Sequence, residues 1–225
     1  MPSDIFANPP AISAPIDPSA DSRIHKWEIK RALDLMLAIV LLPLIAPIVA
    51  VLWILVRWDG GPGFFLHQRI ARGGRPFWCI KLRSMAPDAD LRLKALLAHN
   101  AVARAEWDRD AKLRDDPRVT RLGKFIRKTS LDELPQVINV LRGEMSFVGP
   151  RPVPQDELER YGKAKPAYLS LRPGITGAWQ VSGRNDVDYA KRIAIDVNYC
   201  KSRNLLGDFA IMVRTIGVVW RKTGL

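Results

Sequence analysis

Between Asp34 and Arg57 the chain carries no charged residue. A helix of ~22 residues rising ~1.5 Å each is ~33 Å long, enough for a hydrocarbon core of ~30 Å. Two features decide how it would sit there. Pro43 and Pro47 have no N–H to offer the carbonyls of Ile39 and Pro43, so two links are lost at mid-depth and a bend follows. Arg23, Lys26, Lys30 and Arg31 precede the segment, and Arg57, Arg69, Arg72 and Arg75 follow it, so the positive-inside rule draws both ends to the cytoplasm. A helix that enters, breaks near Ala46-Pro47 and returns to the same face satisfies both features. A single tilted span with a proline kink is the alternative.

The remaining length sets the organisation. A chain of 225 residues holds this segment plus a domain of about 165 residues, ample for a core. Residues 1–25 are rich in Pro, Ala and Ser without apolar periodicity and read as a mostly disordered tail. Residues 26–58 are the membrane helix, and 59–225 the domain. The apolar run starts too late and is too long for a secretory signal, so it is expected to remain as an anchor. Cys79 and Cys200 lie at no metal spacing and fit two buried thiols in a reducing compartment. The net charge is +12. Beside an anchor, this points to an anionic leaflet or phosphorylated substrates rather than nucleic acid, for which no recognition motif is present.

After Trp58 and a Gly-Pro turn, Phe64-Phe65-Leu66 and Phe77-Trp78-Cys79-Ile80 flank Gly73-Gly74 as a short β-hairpin. Apolar periodicity predicts helices over about 86–108, 118–128 and 131–142, the last stopping at Gly143, and amphipathic helices near 155–169, 187–203 and 205–221. The fold class is a mostly helical α+β domain without a Rossmann sheet. The last helix carries Phe209, Ile211, Met212, Ile216, Val218, Val219 and Trp220 beside Arg214, Arg221 and Lys222. It reads as a core helix or, favoured by the neighbouring anchor, as a helix on lipid headgroups.

The chemical centre is Arg127-Lys128-Thr129-Ser130-Leu131-Asp132-Glu133-Leu134-Pro135-Gln136, which sets adjacent carboxylates behind two cations. Taken alone, Ser130-x-x-Glu133 is better read as a capping box, with acidic residues in a helix's first turn. Arg151 in Gly149-Pro150-Arg151-Pro152, Arg172 in Arg172-Pro173-Gly174 and Arg184 in Gly183-Arg184-Asn185 add weight to a catalytic reading. The glycines let backbone N–H groups approach an anion, and an arginine fork suits phosphate oxygens.

Four runs, KRALDLMLAIVLLPLIAPIVAV, KLRSM, RKTSLDELPQVINVLRGEMSFVGPRP and RPGITGAWQVSGRN, together resemble the bacterial sugar transferases over about residues 28–225. These are small monotopic polyprenyl-phosphate phosphoglycosyl transferases that initiate exopolysaccharide or glycan assembly. The resemblance implies transfer of a sugar 1-phosphate, such as that of galactose or glucose, from a UDP-sugar to undecaprenyl phosphate with release of UMP. It implies Asp132 as nucleophile of a phosphosugar-aspartyl intermediate, Glu133 beside it as the holder of Mg²⁺, and Arg127 facing the lipid phosphate. Arg151 and Arg184 then lie near the phosphates. The family's helix break is a Ser-Pro pair in some members, and Ala46-Pro47 stands there in this chain. The implied location is the bacterial inner membrane, with the domain on the cytoplasmic face. Implied partners are inner-membrane lipids and downstream glycosyltransferases, with homo-oligomer formation left open. With no large membrane bundle ahead of the helix, the minimal form of the family is expected. The physics is consistent, because a carboxylate that attacks a diphosphate needs cations on the phosphate oxygens first. A membrane-anchored basic scaffold or polyanion binder, with Asp132-Glu133 only a cap, is the alternative.

Overall fold

The computed structural model describes residues 21–110, 113, 115–182 and 189–220. Helix α1 (Asp21–Arg57) runs without interruption through both prolines. It starts inside the segment read as a tail, where Asp21 and Ser22 are residue types favoured at a helix start; residues 1–20 lie outside the described ones. Its outward face is apolar and exposed at Met36, Val40, Leu44, Ile48, Val51 and Leu55. The opposite stripe packs on the domain along its length. Ala38, Leu42 and Ile45 meet Phe77, Cys79, Val137, Val140 and Met145, while Val49, Leu52, Trp53 and Val56 meet Leu82, Leu122 and Ile126. The inward spacing of three and four residues is that of one helix face.

Side chains fasten both ends of that face. Near the start, Lys30 pairs with Asp208 at 2.6 Å, Arg31 donates to the carbonyls of Val140 and Leu141, and the Asp34 carboxylate accepts from the Phe147 N–H. At the other end the Arg83 guanidinium, 7% exposed, donates to the carbonyls of Val56, Pro62 and Met85 and to both carboxylate oxygens of Asp59.

The predicted hairpin is present as β1 (Phe64–Ile70) and β2 (Pro76–Leu82), paired antiparallel with His67 opposite Cys79. The free edge of β2 is closed by Asn139, whose side chain accepts from the Ile80 N–H and donates to the Trp78 carbonyl, as a neighbouring strand would. The segment predicted as one helix over 86–108 is two, α2 (Ala89–His99) and α3 (Ala101–Asp110). Asn100 separates them because its side chain accepts the Ala103 N–H, starting a new helix. Helix α4 (Arg121–Lys128) is capped by the Thr120 hydroxyl. A tight 3₁₀ segment, Leu131–Gln136, then leads into α5 (Val137–Leu141).

Strand β3 (Ser146–Val148) pairs in parallel with β4 (Gly174–Thr176), a pairing the sequence pattern did not reveal. Between them, the helix expected near 155–169 is divided into α6 (Gln155–Glu159) and α7 (Lys165–Leu169) by Gly162 at φ 49°. Helices α8 (Tyr189–Ser202) and α9 (Leu205–Trp220) complete the domain. Helix α9 packs Ile211 and Met212 on the core, as the first alternative expects, and leaves Leu206, Phe209, Val213 and Ile216 exposed on its other side. Cys79 and Cys200 are buried free thiols.

Candidate active site

The capping box does not form. Ser130 makes no side-chain cap bond and has a left-handed backbone, φ 56°, the sole positive φ outside glycine among the described residues. A side chain there costs on the order of 1–3 kcal/mol, and such outliers gather at functional sites. Instead of reaching back to Ser130, the Glu133 carboxylate binds the Lys81 ammonium on β2 at 2.6 Å.

The left-handed turn swings Asp132 inward, where it is 9% exposed. Burial pushes its carboxyl up to about 6, opposed by Lys81 and Arg127 and reinforced by the like charge of Glu133. Arg127, in the last turn of α4, is steadied by its Nε donating to the Ser84 hydroxyl at 2.7 Å. Burial lowers the Arg127 pKa, while the carboxylate of Asp132 opposes that shift. Arg127, Asp132, Glu133 and Lys81 therefore form one cluster.

Arg151 stands further along the same surface. Its guanidinium lies 5.5 Å from the Trp179 ring centre, with Arg192 at 4.8 Å. Its charge acts on Arg69 and His67 of β1. The Cys79 thiol feels Lys81, Glu133, Arg69 and Arg151 together, which ties the two groups of cations to one stretch of β2. Buried Asp196 receives the Tyr161 hydroxyl at 3.0 Å and the Arg151 backbone N–H; burial drives its carboxyl up to about 7. Arg184 lies outside the described residues.

Two expectations about the loops need correction. Arg172 donates to the Gly143 carbonyl beside Arg31, at the start of the membrane helix, and does not join the Asp132 cluster. The N–H groups of Gly149 and Gly174 are spent inside the chain, on the carbonyls of Thr176 and Pro150. These glycines are there because the two backbones touch: a Cβ on Gly149 would meet the Arg172 carbonyl oxygen at 2.5 Å.

Lys81 and Arg69 carry the site's charge without having been singled out from the sequence. No local pattern marked them: alternation puts Lys81 on the same face as the core residues Phe77 and Cys79, and Arg69 is paired opposite Phe77, so both cations border a core face.

Among the described residues no cluster of three or more His, Cys, Asp or Glu side chains could hold a metal. The adjacent carboxylates still fit Mg²⁺, which takes one or two protein carboxylates and fills its octahedron with phosphate oxygens and water. Two neighbouring carboxyls, one of them buried and pushed up to about 6, are a donor set that a cation would relieve.

A family model described as bacterial sugar transferase matches residues 25–222. The chain is 52% identical over 196 residues to the undecaprenyl-phosphate galactose phosphotransferase of Salmonella typhimurium, covering 87% of this chain and 41% of that protein. It is 47% identical over 196 residues to the exopolysaccharide production protein ExoY of Sinorhizobium fredii, covering 87% of each chain. It is 37% identical over 201 residues to the UDP-glucose:undecaprenyl-phosphate glucose-1-phosphate transferase of Caulobacter vibrioides, covering 83% of this chain and 68% of that protein. The chain thus spans about two fifths of the Salmonella protein and most of ExoY. With the match running through the membrane helix, the carboxylate pair and the final helix, the chain belongs to the bacterial sugar transferase family.

Proposed function

We propose that this protein transfers a hexose 1-phosphate, such as that of galactose or glucose, from a UDP-sugar to undecaprenyl phosphate and releases UMP. This would be the first membrane step of exopolysaccharide or glycan assembly, at the cytoplasmic face of the inner membrane. Relatives named for undecaprenyl-phosphate galactose and glucose transfer support the reaction class. The observation that carries it is buried Asp132 between Arg127 and Lys81, on a strained turn that makes no cap.

In the first step an Asp132 carboxylate oxygen attacks the sugar-bearing phosphorus. The new O–P bond forms as the bond to the bridging oxygen breaks, and UMP departs with that electron pair. In the second, an oxygen of undecaprenyl phosphate attacks the same phosphorus and Asp132 leaves as carboxylate. Lys81 holds Glu133, Arg127 draws in phosphate oxygens, and the two-step route lets a soluble donor leave before the lipid acceptor arrives. Mg²⁺, held at Glu133 and Asp132, would supply charge neutralisation on the diphosphate. Arg151 and Arg184 are assigned to phosphate contacts by the family resemblance.

The test is UMP release by the full chain in membrane vesicles, with undecaprenyl phosphate and a panel of UDP-sugars. At least one UDP-hexose should give release that depends on the lipid phosphate. No release from any donor would reject the reaction in favour of a basic scaffold.

A further inference from the structure

Strand β2 runs alongside α1 in the same direction, since Phe77 shares a packed cluster with Ala38 while Leu82, at the other end of the strand, packs with Leu52. The hairpin turn Arg72-Gly73-Gly74-Arg75 is thereby carried to the start of the membrane helix. Asp132 and its cations belong to the opposite end, because Arg127 follows Ile126 of the Leu52 cluster. Leu52 is roughly 30 Å along the helix axis from Arg31.

Other arginines converge on that turn. Arg31 donates to the Val140 and Leu141 carbonyls at 2.6 and 3.1 Å, and Arg172 through Nε to the Gly143 carbonyl at 2.9 Å, so two guanidiniums are pinned side by side at the end of α5. Burial lowers the Arg172 pKa, and the charges of Arg31, Arg72 and Arg75 lower it further against Asp34. The Arg203 pKa is lowered by burial and again by Arg72. The carboxylates at this end are already engaged: Asp34 accepts from the Phe147 N–H, and Asp208 from Lys30 and the Tyr199 hydroxyl. The terminal nitrogens of Arg172 make no hydrogen bond among the described residues.

Cations held together by the fold against their own repulsion are relieved by an anion, and guanidinium forks suit phosphate oxygens. The cavity behind Lys30, Arg172 and Arg203 is about 10 Å³, room for about one water, so a phosphate has to sit on the outer side of the guanidiniums. Ile29 and Leu33, in the neighbouring turns of α1, are exposed and apolar, which suits a phosphate that arrives on a hydrocarbon tail. A zwitterionic headgroup would press its own ammonium against the same arginines. A phosphodiester to an uncharged alcohol does not.

We propose that the arginines around the start of α1 bind the phosphodiester headgroup of an anionic phospholipid, at a site separate from Asp132. This goes beyond the transfer reaction and does not depend on it. The bound lipid seats the entry of α1 at headgroup level.

The test follows the melting temperature of the full chain in a nonionic detergent as short-chain lipids are added. Phosphatidylglycerol at about ten times its half-saturating concentration should raise it by roughly 3 °C or more, whereas phosphatidylcholine of the same chain length should not. Arg72→Gln combined with Arg75→Gln should remove at least half of that rise. Both side chains are exposed, and the turn is set by the backbone of Gly73 and Gly74, at φ 75° and 84°, so this variant keeps the fold. Lys94→Gln combined with Lys163→Gln removes the same charge from exposed positions elsewhere and should leave the rise intact. Equal responses to the two lipids, or an equal loss in the two double variants, would reduce the effect to detergent mixing or diffuse attraction and overturn the site. An equal rise with inorganic phosphate would put a free anion there instead of a lipid, and a rise with undecaprenyl phosphate alone would assign the arginines to the acceptor. Each of these failures leaves the transfer reaction standing.

Discussion

Asp132 is held where its charge is unwelcome. Its pKa of about 6 lies above the ordinary carboxyl value of 3.8, so the folded protein binds that proton more tightly than the unfolded chain does. Stability therefore falls as pH rises from about 4 through about 6, and above that window the ionised group costs on the order of 1–3 kcal/mol. Asp132→Asn should abolish UMP release yet raise the melting temperature at pH 7 to 8, with the gain vanishing below pH 4. A helix-capping role predicts the opposite, a less stable variant. Wild-type turnover should fall as pH drops through about 6, because a protonated carboxyl is no nucleophile. The candidates Arg127, Asp132 and Glu133 were legible as a run of charge, but their roles were not. The same letters spell a capping box, and only the positive φ of Ser130 and the Lys81–Glu133 pair separate the two outcomes. Lys81 lies 52 positions from Glu133, a juxtaposition that local pattern cannot reveal.

Helix α1 shows how an element can be apolar all round and still have two faces. Pro43 and Pro47 both lie on its exposed side, so the missing N–H bonds are on the side away from the domain. Loss of links there favours a curve that is convex outward and wraps the helix around the domain. The prolines and the apolar run were readable, as were the hairpin and the amphipathic final helix, because each depends on local periodicity. The parallel β3 and β4 pair was not, since each strand has three residues and the partners are far apart in sequence. Nor was Arg83, which reads as one more cation in a basic chain until its carbonyl and carboxylate partners are seen. Arg83→Met should cost about 3 kcal/mol or more, since Asp59 and three carbonyls lose a buried fork at the exit of α1. Denaturant unfolding of the detergent-solubilised protein measures it, and a loss below about 1 kcal/mol would show that the clamp is incidental.

Among the described residues, α1 and α9 each present a row of exposed apolar side chains. The Lys30–Asp208 pair fastens α1 to α9, whose exposed residues include Leu206, Phe209, Val213 and Ile216. From Arg31 to Val56, helix α1 covers ~38 Å, more than the ~30 Å of a hydrocarbon core, yet both ends are bonded to the same domain. If α1 crossed upright, one of these attachments would have to lie beyond the far leaflet, with the +12 chain straddling the bilayer. Immersion from one side keeps the attachments intact, and the proposed reaction then requires Asp132 to meet the acceptor phosphate near headgroup depth. That topology predicts the tail and the domain on one side, the cytoplasmic one under the function proposed above. Ser13→Cys and Lys163→Cys should resist an impermeant thiol reagent equally in intact cells and react together once the inner membrane is permeabilised. Opposite labelling of the two positions would establish a simple span. Replacing Pro43 and Pro47 by leucine restores two backbone bonds and straightens the helix, so it should move some molecules towards that opposite pattern. If it does not, the grip of the domain on both ends of α1, rather than the prolines, determines the topology.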